Sequence, residues 1–135
     1  MKRGALIAVA VLLILGVLIT GLVLYFNKEE TKDLEKVFYS LQAEAKIANY
    51  YVSNEEDIAR HKADITGFDG EIIYSIAGHK GDFSVYVHEM ESKDMAKEAY
   101  ELILPLLPDG DIWDAKYDGK YLIFGSKELT ELIDI

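Results

Sequence analysis

The densest group of potential metal ligands in the chain is a run of four aspartates: Asp109, Asp111, Asp114 and Asp118. Carboxylate oxygens are the ligands that Ca²⁺ prefers in proteins. The spacing departs from an EF-hand loop, because counting from Asp109 puts Asp114 where that loop needs glycine and Lys120 where it needs glutamate. Asp109, Asp111 and Asp114 are therefore weak metal candidates, and we expect a solvated turn and strand edge here.

The histidines and serines of the chain lack the spacing that catalysis or metal binding usually requires. His61, His79 and His88 form no H-x-H pair. His88 and Glu89 alternate along a predicted strand and so face opposite sides of it, and we expect His88 to contact Glu71 across a hairpin. Neither G-x-S-x-G, S-x-x-K nor a glycine-rich nucleotide loop is present. The sequence predicts no catalytic residue, no cofactor and no enzymatic activity.

Charge and cysteine content narrow the classes of partner. Residues 27–135 hold 24 acidic and 12 basic residues, a net charge of −12, and the chain has no cysteine. An acidic surface repels phosphates and anionic lipid headgroups, so we expect no nucleic acid partner. The lack of cysteine excludes disulfides and thiolate metal sites.

A long apolar run near the N-terminus predicts a membrane anchor. Residues 5–26 carry no charge, and as a helix they would span about 33 Å, enough to cross a hydrocarbon core of about 30 Å. The run exceeds the apolar core of a signal peptide, although cleavage near Gly21 is an alternative. A basic tail, residues 1–4, precedes it and is hard to translocate. We expect a single-pass protein with a cytoplasmic N-terminus and an extracytoplasmic C-terminal domain.

Residues 27–66 predict an amphipathic stalk. Apolar residues recur at helical spacing from Thr31 to Val52, which indicates one helix that continues from the anchor and packs on the following domain. The residues Ser53 and Glu56 resemble a capping box, which predicts a short helix from Asn54 to Ala63.

Residues 67–135 predict an α+β domain in ββαββα order. The first hairpin pairs Glu71–Ala77 with Asp82–Met90, with Ala77 opposite Asp82. The second pairs Ile112–Tyr117 with Lys120–Gly125 around a two-residue turn. Helices capped by serine follow both hairpins. The sequence therefore predicts a four-stranded, largely antiparallel sheet with helices on one face.

One predicted sheet face combines apolar and polar side chains in a way that suits binding. An alternative is that the helices before Ala63 cover it. The predicted interaction face consists of Ile73, Tyr86, Ile112, Tyr121 and Ile123.

The N-terminus supports two accounts of function. The basic residues and glycine of Lys2-Arg3-Gly4, followed by a long apolar helix, resemble the leader of archaeal type IV pilin-like proteins. That resemblance implies cleavage after Gly4 and assembly through the apolar helix, although Val9 stands where bacterial pilins have glutamate. Our first expectation is a non-enzymatic, membrane-anchored interaction module or accessory subunit of a membrane complex. It would contact the bilayer through residues 5–26 and bind a membrane protein or a second copy; a ligand- or calcium-binding domain is a third account.

The mass of the chain purified from host membranes separates the first two accounts. A permanent anchor retains its basic tail, so we expect the intact protein to begin at Met1 or Lys2. A chain that begins at Ala5 would instead support the pilin-like account.

Overall fold

The computed structural model describes residues 31–135. They form an α+β fold with a five-stranded antiparallel sheet. The predicted tail and anchor, residues 1–26, lie outside the described residues. Within residues 31–135, none of the helices combines the length and apolar character that crossing a bilayer requires.

In chain order the elements are α1 (Leu34–Ala43), β1 (Asn49–Val52), α2 (Glu55–Asp64), β2 (Ile72–Lys80), β3 (Phe83–Met90), α3 (Lys93–Ile103), a 3₁₀ turn (Leu104–Leu106), β4 (Trp113–Asp118), β5 (Tyr121–Ser126) and α4 (Lys127–Thr130).

The fifth strand, β1, replaces the second half of the predicted stalk helix. The helix α1 ends because Ala45 adopts a left-handed conformation with φ of 59°, and Lys46 N–H then donates to the carbonyl of Leu41. Beyond this turn, Asn49–Val52 pairs antiparallel with β2. The strand order is β1-β2-β3-β5-β4. The prediction of four strands is therefore wrong, because it lacks the edge strand β1.

The start of α2 differs from the predicted capping box by one residue. Asn54 caps the helix by accepting from Asp57 N–H at 2.8 Å, while Asp57 accepts from Asn54 N–H at 3.3 Å. The N–H of Ser53, which the predicted box would donate to Glu56, donates instead to the carbonyl of Ser75 in the sheet.

Both hairpins have registers that differ from the predicted ones: the first loop shortens from four residues to two, and the second keeps two residues but moves by one residue along the chain. Lys80 lies opposite Phe83 in the first hairpin, and Asp118 lies opposite Tyr121 in the second. Glycines with positive φ, Gly81 and Gly119, open the two-residue loops that result. The prediction that Ala77 faces Asp82 is therefore wrong. Since the shifts are by an even number of residues, the side chains that were predicted to share a face within each hairpin still share it next to the turns. The predicted core faces of the two hairpins nevertheless lie on opposite sides of the sheet.

His88 accordingly lies opposite Ser75, and the expected contact between His88 and Glu71 is not formed. A bulge between Ile72 and Tyr74 moves Ile72 to the other face of β2, where it lies opposite Met90.

Helices cover both faces of the sheet, so the prediction of helices on one face is wrong. The face that we call the α1 face packs Ile76, Val87 and Ile123 against Phe38 of α1 and Leu129 of α4. The opposite α3 face is covered by α3 and the end of α2. Its core residues are Ile65, Phe68, Ile72, Met90, Ala96, Ala99, Ile103, Ala115 and Leu122.

Ser92 caps α3 as expected, since its hydroxyl accepts from Met95 N–H at 3.2 Å. Ser126 precedes α4 without such a bond, and α4 ends at Thr130.

The close approach of β3 and β5 predicts a severe effect of Gly125→Ala. A Cβ at Gly125, where φ is 140°, would lie 2.2 Å from the carbonyl oxygen of Ser84. We expect a loss of about 3 kcal/mol or more from backbone strain and steric overlap. In the control Gly81→Ala, the added Cβ meets no atom of the described residues within 4 Å, so this variant should lose only about 1 kcal/mol from its φ of 60°.

Urea unfolding of the full chain in detergent micelles, followed by the fluorescence of Trp113, measures both losses. Equal losses in the two variants would contradict the close β3–β5 approach.

Candidate functional site

The five residues of the predicted interaction face do not form one surface. Tyr121 and Ile123 are 2% and 1% exposed within the core of the α1 face, and Tyr86 lies on the opposite face. Ile73 and Ile112 are 53% and 56% exposed, but they lie at opposite ends of the sheet. The helical cover that the sequence left open as an alternative does extend over Tyr121 and Ile123.

The predicted metal candidates are likewise not brought together. In residues 31–135, no three histidine, aspartate or glutamate side chains gather in a way that could hold a metal ion. Asp114 Oδ1 instead accepts from the backbone N–H of Ala115 at 2.9 Å, and Asp109 and Asp111 are exposed in the loop before β4.

A buried histidine and serine pair lies in the middle of the α3 face. Ser75 Oγ is 2.7 Å from His88 Nδ1, and both side chains are fully buried. Among residues 31–135, Nε2 of His88 has no hydrogen-bond partner. Burial, and then the nearby His61, lower the pKa of His88 to about 3, so the ring is neutral at physiological pH.

His61 of α2 packs against the rings of His88 and Tyr86. Its ring centre lies 5.0 Å from that of His88 and 5.6 Å from that of Tyr86, and Ser53 Oγ is 3.4 Å from its Nε2. Burial lowers the pKa of His61 as well. A serine next to a histidine is what nucleophilic catalysis needs, but Ser75 is closed to any substrate. The pair therefore acts as a structural contact of the core.

A second polar cluster, the entry-end cluster, lies where the described chain enters the domain. It consists of Thr31, Lys32, Glu89, Lys120 and Tyr121. Lys120 Nζ lies 3.7 Å from Glu89 Oε1 and donates to Thr31 Oγ1 at 2.7 Å. The hydroxyl of Tyr121 donates to Glu89 and accepts from the backbone N–H of Lys32 at 2.6 Å. These contacts hold the entering backbone against the turn between β4 and β5.

Tyr74 lies beside the entry-end cluster. Burial, followed by the charges of Glu35, Asp33 and Glu89, raises the pKa of Tyr74 to about 12. A shallow groove of about 400 Å³ runs between Tyr74 and residues 31–35.

The far-end groove lies at the other end of the same strands. From Tyr121 to Ser126, β5 extends for roughly 17 Å, so Ser126 is well separated from the entry-end cluster. The groove is shallow, with a volume of about 390 Å³. Phe83 and Ile112 are 40% and 56% exposed in it. Its lining residues are Phe83, Asp111, Ile112, Ser126, Lys127, Glu128 and Glu131.

Three separate segments build the far-end groove. Phe83 opens β3 directly after the hairpin loop, and Ile112 precedes β4. The third segment is the start of α4. There the N–H of Lys127 donates to the carbonyl of Ile112 at 2.7 Å, which holds α4 against the loop before β4. Of these residues, the sequence analysis named only Ile112 and Asp111 as candidate functional residues, because the groove depends on tertiary contacts. We take the far-end groove as the candidate functional site.

Comparison of the chain with family models, with curated proteins and with solved structures found no match.

Burial of His88 predicts a loss of stability in mild acid. The folded pKa of His88 lies below its ordinary value of 6.5, so the unfolded chain takes up a proton first as the pH falls. The contribution of neutral His88 to the free energy of unfolding should be fully present above about pH 6.5. It should decline below that pH, by about 2 kcal/mol at pH 5. The lowered pKa of His61 acts in the same direction.

The variant His88→Gln removes this titration and keeps a polar group opposite Ser75. Urea unfolding at pH 7.5 and pH 5 should show a smaller difference in the variant than in the unchanged protein. The comparison is made within each protein, so a lower starting stability does not affect it. Identical differences would show that His88 is not the buried titrating group.

Proposed function

We propose that this protein is a membrane-tethered, non-enzymatic binding domain on the extracytoplasmic side, acting as an interaction module or accessory subunit. The observation that carries the proposal is the far-end groove. It exposes Phe83 and Ile112 together, at the end of the sheet opposite the entry of the chain. Exposed apolar side chains that share one groove favour a binding surface over chance exposure.

The tether rests on the sequence of residues 5–26, which suits a transmembrane helix. The chain that follows this segment joins the domain at Thr31 and Lys32, where the entry-end cluster holds it. Thr31 and Lys32 therefore lie at the opposite end of β5 from the residues that line the far-end groove.

The chemistry of the described residues supports binding over catalysis. The groove lining combines carboxylates, one lysine, one serine and two apolar side chains, without histidine. Among the described residues, the contact between Ser75 and His88 is enclosed in the core, whereas the 2.8 Å contact between His79 and Ser84 is partly buried and lies outside the groove lining. A general base beside an accessible nucleophile is the usual requirement of hydrolytic catalysis.

Cysteine labelling tests the orientation directly, because the natural chain contains no cysteine. We expect a membrane-impermeant maleimide to label Ile112→Cys in intact host cells. The matched control Lys2→Cys should react only after the membrane is permeabilised. The reverse pattern would contradict the extracytoplasmic placement.

Site-specific photo-crosslinking tests the binding surface. A photoreactive amino acid at Ile112 should yield a discrete crosslinked product in native membranes. The same amino acid at Tyr39, which is 64% exposed on α1, is the control and should yield none. The binding role of the groove fails if Ile112 yields no product or if both positions yield the same ones.

A further inference from the structure

We propose that the far-end groove binds a basic peptide segment of a partner protein, one in which an apolar side chain is flanked by arginine or lysine. This inference rests on the proposed function, because it names the class of partner that the binding domain recognises. It combines two apolar side chains, Phe83 and Ile112, which we call the floor of the groove, with the charged side chains of the lining, which we call its rim.

The floor supplies the apolar contact. Single exposed apolar residues are common on protein surfaces and need no explanation. Phe83 and Ile112 differ because the strand start and the loop that carry them line one groove. An aromatic ring and a branched aliphatic side chain together can bury one leucine-sized or phenylalanine-sized side chain of a partner.

The rim supplies the charge. Asp111, Glu128 and Glu131 contribute three carboxylates to the lining, against the single ammonium of Lys127. Lys80 lies 3.7 Å from Glu128 at the outer side, and both side chains are largely exposed. The lining therefore keeps a negative balance, and carboxylates of this kind form charge-assisted hydrogen bonds with guanidinium groups.

The same charge argues against other occupants. A second copy of the chain carries a net charge of −10 and would bring like charge to the groove. Anionic lipids and nucleic acids are repelled for the same reason. A basic segment is the macromolecular ligand that both the rim and the overall charge attract.

The test uses the full chain in nanodiscs of phosphatidylcholine and three synthetic decapeptides. The first alternates arginine with leucine, the second replaces its arginines by glutamate, and the third replaces its leucines by serine. Isothermal titration at low salt should show binding of the arginine–leucine peptide only. Raising the salt from 50 to 300 mM should weaken that binding by about tenfold, because screening acts on exposed charge pairs.

Variants separate the groove from the general charge of the domain. The pair Asp111→Asn and Glu131→Gln should weaken binding by about tenfold, and Ile112→Ser should do the same through the floor. The matched control, Asp69→Asn with Glu101→Gln, removes the same charge at exposed positions outside the groove and should change the affinity by less than about twofold.

Three results would overturn the proposal: no binding at millimolar peptide, equal binding of the glutamate–leucine peptide, or equal weakening by the control pair. A crosslinked product from Ile112 without basic-peptide binding would reject this inference and leave the proposed function in place. A product of twice the chain mass would identify a second copy as the occupant. A failure of the labelling and crosslinking experiments would reject the proposed function itself.

Discussion

The pairing of β3 with β5 is the interaction on which the rest of the domain depends. It joins two hairpins, each of which would be marginally stable alone, into one sheet with a core on both faces. The pairing runs from Val85 opposite Gly125 to Glu89 opposite Tyr121. Because β3 is central, its side chains enter both cores: Val85 and Val87 point to the α1 face, and His88 and Met90 to the α3 face.

The two ends of this pairing have different chemistry. At the entry end, Glu89 and Lys120 are a buried ion pair, with side chains 9% and 11% exposed. Lys120 donates to Thr31, and Tyr121, which donates to Glu89, accepts from the N–H of Lys32. Burying such a pair has a desolvation cost that well-packed apolar residues would avoid, so its value lies in specifying one arrangement. At the far end, Gly125 permits a close strand approach, and the residues just beyond it line the far-end groove. The pairing of β3 with β5 thus positions both the contacts to Thr31 and Lys32 and the proposed binding surface.

Local patterns predicted part of this fold. The α+β class, the existence of both hairpins and the serine cap of α3 follow from turn residues, alternation and capping chemistry, which act over a few residues. The registers were wrong because alternation fixes the face of a strand but not shifts of two or four residues. The strand β1 was missed because the spacing of Ala48 and Val52 also fits a helix, while its conformation depends on pairing with β2.

The candidate site was harder to predict from the sequence than the fold. The groove combines the start of β3, the loop before β4 and the start of α4, and only tertiary contacts bring these together. The buried contact of Ser75 with His88 depends on the same register that the sequence misplaced. Glu89 and Lys120 gave no signal either, because each is an ordinary charged residue beside a strand end.

A double-mutant cycle on Glu89 and Lys120 tests most directly whether the entry end of the β3–β5 pairing is fixed by a buried ion pair. The free energy of unfolding is measured by urea titration for the unchanged chain, Glu89→Gln, Lys120→Met and the double variant. The account predicts that the two single losses exceed the double loss by about 2 kcal/mol, since either single change leaves a buried partner uncompensated. Additive losses, with a coupling energy near zero, would contradict it.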